Sequence, residues 1–170
     1  AERLVLNFLA RMSGISTLTR NCVLLAGGVR VAATRKTTPG FRLFEKRAVY
    51  LGGGDPHRFN LSAAVLIKDN HIKILGLSEC LRRARELTSF TKKIEVEVES
   101  LEDMLTAARG GADIIMFDNM GPEEIIAGVA LLEREGLRDK LILEASGGIT
   151  LNNIAEYKAS GVDVISLGAL

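Results

Sequence analysis

Six short apolar runs recur along this 170-residue chain, and the stretches between them are patterned for helices. The runs are VRVAAT, AAVLI, KIEVEV, DIIMF, KLILEA and VDVISL, and the spacers include LSECLRRARELTSF, LEDMLTAARGG, PEEIIAGVALLEREG and LNNIAEYKASG. Strands separated by helices pair in parallel through helical crossovers. Two architectures satisfy this, an open doubly wound sheet and a barrel. The run IEVEVES bears on the choice, because Glu95, Glu97 and Glu99 alternate with Ile94, Val96 and Val98, making one strand face carboxylate and the other aliphatic. A central strand of an open sheet is apolar on both faces. In a barrel the aliphatic side meets the helices and the acidic side points into a polar mouth; an acidic edge strand is the competing reading. The fold class expected is therefore α/β, a TIM-like parallel α/β barrel that is incomplete, with six strands visible. No linker or low-complexity tract divides the series, so residues 1–170 read as one barrel domain. The opening ERLVLNFLARMSGI predicts an amphipathic helix that stops at Gly14.

No apolar run approaches a membrane span, and the first residues lack a signal-peptide pattern. Cys22 and Cys80 are far apart and lack metal-ligand spacing, which reads as reduced core thiols in a cytoplasmic protein. Net charge is +1, but residues 1–75 carry +8 and residues 76–170 carry −7. In a compact fold such halves share a surface, where one flank suits a polyanion and the other a metal cation. Two tyrosines, no tryptophan and no basic run argue against a nucleic-acid partner.

Parallel α/β folds place their chemistry at the carboxyl ends of strands. At those ends stand Thr34, Arg35 and Lys36; Lys68, Asp69, Asn70 and His71; Glu97 and Glu99; Asp118 and Asn119; Ser146, Gly147 and Gly148; and Leu167 and Gly168. Each has a plainer reading taken alone. Lys and Arg populate ordinary solvated loops, Asp118-Asn119 can cap the helix that begins near Pro122, and His71 can be a hydrogen-bonded loop residue. Lys68 follows an apolar strand, so it is either a snorkelling amine or a Schiff-base nucleophile. Ser146-Gly147-Gly148 leaves backbone N–H groups open, with Thr150 placed to cap the next helix. Gly52 to Gly54, ahead of His57-Arg58, imply either a close backbone approach or a loop that moves. Together the strand ends describe a pocket for a phosphorylated, metal-associated, multiply acidic ligand.

The segments ERLVLNFLARMSGISTLT, ATRKTTPGFRLFEKRAV, GGGDPHRFNLSAAVLIKDNHI, IEVEVESLED, IMFDNM, LEASGGIT and GVDVISLGAL, in this order, resemble the quinolinate phosphoribosyltransferases over essentially the whole chain. The resemblance implies transfer from phosphoribosyl pyrophosphate to quinolinate with decarboxylation, giving nicotinate mononucleotide, pyrophosphate and carbon dioxide in NAD biosynthesis. It implies that Arg35, His57, Arg58 and Lys68 surround the two quinolinate carboxylates. Thr34, Lys36, Ser146, Gly147, Gly148 and Gly168 would complete substrate binding. Lys68, Glu97 and Asp118 would be catalytic, with Glu97 and Asp118 also facing Mg²⁺. It further implies an N-terminal α/β sandwich domain that these 170 residues lack, and a homodimer or higher homo-oligomer whose partner subunit completes the site. The isolated barrel is accordingly expected to be inactive. The rival readings are a Schiff-base aldolase or decarboxylase using Lys68, a phosphoribosyltransferase salvaging nicotinate, and a barrel retained for sensing.

Overall fold

The computed structural model describes residues 2–170. Its elements run α1 (Glu2–Ala26), β1 (Arg30–Ala32), α2 (Arg42–Leu51), β2 (Val65–Ile67), α3 (Asp69–Leu75), α4 (Leu77–Leu87), β3 (Ile94–Val98), α5 (Leu101–Arg109), β4 (Ile114–Asp118), α6 (Pro122–Arg134), β5 (Ile142–Ser146), α7 (Ile154–Lys158) and β6 (Val164–Ser166). The six apolar runs are the six strands.

All pairings are parallel, in the order β1-β6-β5-β4-β3-β2. Each strand from β3 to β6 adds beside its predecessor, and the last, β6, lies against the first, β1. That is barrel order, without the reversal that defines a doubly wound sheet. The seam falls between β1 and β2. There the free edge of β1 is bridged by Asp55, whose carbonyl accepts from the Ala33 amide at 2.9 Å and whose amide donates to the Val31 carbonyl at 2.8 Å.

The alternation in β3 behaves as a barrel requires. Ile94, Val96 and Val98 belong to the apolar core shared by strands and helices, together with Ile115, Phe117, Leu143, Ile165, Met104, Ile125 and Leu132. The inward face carries buried Glu95, Glu97, Glu144 and Ser166. Burying three carboxylates is costly unless they are paired, so the interior is built around a polar site.

Three local expectations are corrected. Helix α1 does not stop at Gly14 but continues to Ala26. One glycine costs a helix only about 1 kcal/mol, and the second half of α1 buries Thr19, Cys22 and Ala26; the stop comes from Gly27 and Gly28, both at positive φ. Helix α2, unread in the sequence, forms directly after the Pro-Gly turn. Finally, α7 has only five residues and begins at Ile154. Thr150 lies in a turn closed by its amide donating to Asn153 Oδ1 at 2.7 Å, so it caps no helix. Two of the three glycines mark a close approach: a Cβ at Gly52 would lie 2.5 Å from the Ser16 carbonyl oxygen, and one at Gly54 2.7 Å from Thr19 Cγ2, while Gly53 supplies a positive φ of +90°. Cys22 and Cys80 are buried and free, with burial pushing both thiols above their usual range.

Candidate active site

The carboxyl ends of the strands open on one cavity of about 490 Å³. Its cationic flank is built from three segments. Thr34, Arg35 and Lys36 follow β1, His57 and Arg58 follow the Asp55 bridge, and Lys68 follows β2. Glu97 of β3 and Asp118 of β4 line the same cavity, and the lining is completed by Ser146, Gly147, Gly148 and Gly168 among others. All twelve residues to which the resemblance assigns a role therefore line one cavity. Glu99, by contrast, lies past the end of β3 and is exposed. His71 is exposed as well, and its Nδ1 accepts the Lys68 amide at 3.0 Å, supporting the start of α3.

The hydroxyls and cations crowded into ATRKTTPG divide their work. Thr38 is tied to α2 and α1: its amide donates to Glu45 Oε2 at 3.0 Å, and Arg11 Nε donates to Glu45 Oε1 at 3.0 Å. Thr37 Oγ1 accepts from Arg42 Nε at 3.1 Å, and Thr34 Oγ1 accepts the Lys36 amide at 3.2 Å. These contacts fix the loop and leave Arg35 and Lys36 facing the cavity. Arg35 Nε is shut off from solvent and has no hydrogen-bond partner among the described residues. A buried guanidinium donor without an acceptor is costly, and an anionic ligand would supply the missing acceptor.

Lys46 holds the flank from beneath. It is 4% exposed, and its ammonium donates to the carbonyl of Thr34 at 3.2 Å and to that of Pro56. Thus one buried cation joins the β1 loop to the segment that carries His57 and Arg58. Burial pushes its pKa down, and the nearby cations Arg42, Arg35 and Arg58 add to this against Asp55.

Lys68 Nζ lies 3.0 Å from Glu97 Oε2 and 3.2 Å from Glu97 Oε1. Lys68 is half-exposed and ion-paired, unlike the desolvated, unpaired amine that Schiff-base chemistry uses. Asp118 does not cap the following helix, whose N-cap is Gly121. Its Oδ2 accepts from Asn119 Nδ2 at 2.9 Å, while the Asn119 amide donates to the Ser146 carbonyl at 2.9 Å. Among the described residues, Asn119 and His57 are the two non-glycine residues at positive φ, +55° and +57°. Backbone strain of this kind collects at functional sites.

The interior carboxylates complete the floor. His57 Nε2 is 3.4 Å from Glu144 Oε2, and Ser166 Oγ donates to Glu144 Oε1 at 2.5 Å. Burial pushes Glu95 up to about 7, with Glu144 and Glu97 adding to the rise and His57 and Arg58 opposing it. The sequence reading overlooked Lys46, Glu144 and Ser166 as parts of the site. Glu144 carries the one available signal, a charge flanked by apolar residues within a strand.

A family model for the C-terminal domain of quinolinate phosphoribosyl transferase matches residues 15–170. The chain belongs to the quinolinate phosphoribosyltransferase family. It is 55% identical to the probable nicotinate-nucleotide pyrophosphorylase [carboxylating] of Methanothermobacter thermautotrophicus, over 98% of this chain and 62% of that protein. The human nicotinate-nucleotide pyrophosphorylase [carboxylating] is 43% identical over 99% of this chain and 58% of its own length. The crystal structure of NadC from Streptococcus pyogenes superposes with a TM-score of 0.92 at 43% identity, covering 99% of this chain and 58% of the other. The chain thus spans about three fifths of the curated relatives it matches. No helix among the described residues is long and apolar enough to cross a membrane.

Proposed function

We propose that this chain provides the barrel part of an enzyme that transfers the phosphoribosyl group from phosphoribosyl pyrophosphate to quinolinate, with loss of the ring 2-carboxylate. The observation that carries this reading is one cavity that gathers Arg35, Arg58, Lys68 and His57 with Glu97 and Asp118. Guanidinium forks suit a vicinal dicarboxylate, and the unpartnered Arg35 Nε supplies a donor already free of water. Two arginines, a lysine and a histidine at the acid-binding end favour a diacid over nicotinate.

In this reading quinolinate lies against the cations with its ring nitrogen toward the carboxylates. Lys36 and the backbone amides of Gly147, Gly148 and Gly168 hold phosphate oxygens. As pyrophosphate leaves C1 of the ribose, positive charge grows on the sugar, and Glu97 and Asp118 stabilise it through space. The pyridine nitrogen then forms the bond to C1. The nitrogen is now cationic, so the C2–carboxylate bond breaks with its electron pair left on C2, carbon dioxide departs, and C2 takes a proton. Positioning and electrostatics supply the acceleration, with no covalent enzyme intermediate. Glu97 and Asp118 offer oxygen donors at neighbouring strand ends, a set that suits Mg²⁺, which keeps most of its waters. When bound, that ion would neutralise pyrophosphate charge.

Quinolinate, phosphoribosyl pyrophosphate, Mg²⁺, a cytoplasmic setting and a homo-oligomeric site completed by a partner subunit all belong to this proposal. Its test is nicotinate mononucleotide formation by the native protein that carries this chain. Arg35→Ala and Asp118→Ala are each expected to lower kcat/KM by about a hundredfold or more, the usual loss when one group stabilising transition-state charge is removed. Full activity in both would refute the assigned roles.

A further inference from the structure

In the cavity floor lies a buried polar column whose role the reaction above leaves open. Glu144 is 3% exposed and sits in the middle of β5, where an aliphatic side chain would cost less. Its two oxygens are divided between different partners. Oε1 accepts from Ser166 Oγ, and Oε2 faces His57 Nε2 at 3.4 Å. Glu95 completes the cluster: ligand atoms of His57, Glu95 and Glu144 all lie within 4.8 Å of one another.

His57 needs such a support. Its backbone is held at φ +57° by its own amide donating to Asp55 Oδ1 at 2.7 Å. Its ring meets the Arg58 amide at Nδ1, at 2.8 Å, and Glu144 at Nε2. With an amide N–H directed at Nδ1, the proton of the neutral ring belongs on Nε2, facing the carboxylate. Either rotating the ring or moving the proton would break one of these contacts.

We propose that Glu144 is a positioning residue that acts through His57, fixing the imidazole ring on the cationic flank and keeping a proton on Nε2 so that the flank accepts a dicarboxylate. Ser166 in turn holds Glu144. This inference rests on the reading that the flank binds quinolinate. The charged groups facing His57 come from three elements: Glu144 of β5, Glu95 of β3 and Lys46 of α2, with Arg58 adjacent in sequence. Glu144 beside Nε2 is the largest influence and raises the His57 pKa; burial opposes it, Glu95 assists, and Lys46 opposes. A raised value extends the imidazolium to a pH where a free histidine has lost it, and charging puts a second proton on Nδ1, so the contact from the Arg58 amide is given up in that form. Affinity for a dianion is then full at low pH and declines as pH rises through the His57 value.

The test uses Glu144→Gln and Ser166→Ala in the native protein carrying this chain. Glu144→Gln keeps the shape and the acceptor for Ser166 but removes the charge. Nitrogen NMR of labelled histidine reads the His57 proton position and titration midpoint, and calorimetry reads quinolinate affinity across pH. Glu144→Gln is expected to move the His57 midpoint and the decline in affinity together to lower pH. It should weaken quinolinate binding at neutral pH by about tenfold, the worth of one charge-assisted contact. Ser166→Ala frees only Oε1 and should produce a smaller shift in the same direction, and it serves alone if Glu144→Gln does not fold. Unchanged His57 midpoints and affinity profiles in the folded variants would overturn the proposal. A wild-type protein that shows the coupled His57 titration yet binds no quinolinate would overturn the quinolinate reading while leaving the Glu144–His57 coupling in place.

Discussion

Gly147 offers the sharpest measurement of how the site is held together. It lies at φ +92°, and a Cβ there would sit 2.3 Å from Asn119 Oδ1, 2.6 Å from its Cγ and 2.8 Å from its backbone nitrogen. Its neighbour Gly148 is also at positive φ, +63°, but a Cβ there meets nothing within 4 Å. Gly148→Ala therefore carries the left-handed backbone cost alone, about 1–2 kcal/mol. Gly147→Ala adds the overlap with Asn119, typically about 1–3 kcal/mol more for an overpacked position. Each kcal/mol lowers the melting midpoint by about 2–4 °C for a domain of this size. Thermal and urea unfolding of the two variants, measured side by side, isolate the overlap as their difference. Because Asn119 Nδ2 donates to Asp118, Gly147→Ala should also lower the proposed phosphoribosyl transfer through displacement of that carboxylate. Equal destabilisation by the two substitutions would refute the reasoning, since it would mean that Asn119 exerts no constraint.

Lys46→Met should destabilise the fold by about 1–3 kcal/mol, because two carbonyls lose a buried donor; denaturant titration measures this, and an unchanged midpoint would count against the bridging role. Glu45 titrates below its usual range: burial pushes it up, but Arg11 and Thr38 together outweigh that. Its stabilisation is full above the ordinary carboxylate value and is lost as pH falls through the lowered one, so Arg11→Ala should shift acid unfolding, followed by circular dichroism, to higher pH. Cys22 and Cys80 should resist a thiol reagent in the folded protein and react only after denaturant is added, which a colorimetric thiol assay reads directly.

The strands were legible because parallel, helix-covered strands need unbroken apolar runs, and each such run became one. The acidic alternation in β3 was legible for a related reason: period-two charge in a buried strand has few places to go except a polar interior. Helix limits were harder to read. Gly14 looks like a terminator in isolation, but its cost is small against what the next turns of α1 bury. Helix α2 begins right after a Pro-Gly turn, and its sequence RLFEKRAVYL mixes charge and apolar residues without a clean stripe; its internal residues Glu45 and Lys46 are charged yet buried. The converging cations and carboxylates could be found because strand ends can be counted along the chain. Glu144 and Lys46 escaped notice because a mid-strand carboxylate and a helical lysine reveal their purpose only through partners distant in sequence.

The seam between β1 and β2 gives the molecule an unusual division of labour. Five strand junctions are parallel ladders, while the free edge of β1 is met by Asp55 on the connector that leads to β2, and His57 and Arg58 follow on that connector. The proposed ligand-binding flank is thereby attached to the segment that covers the edge of β1. Anything that loosens the Asp55 bridge shifts His57 and Arg58 at once, so the cover on the β1 edge and the proposed binding flank should be lost together when that short stretch is altered.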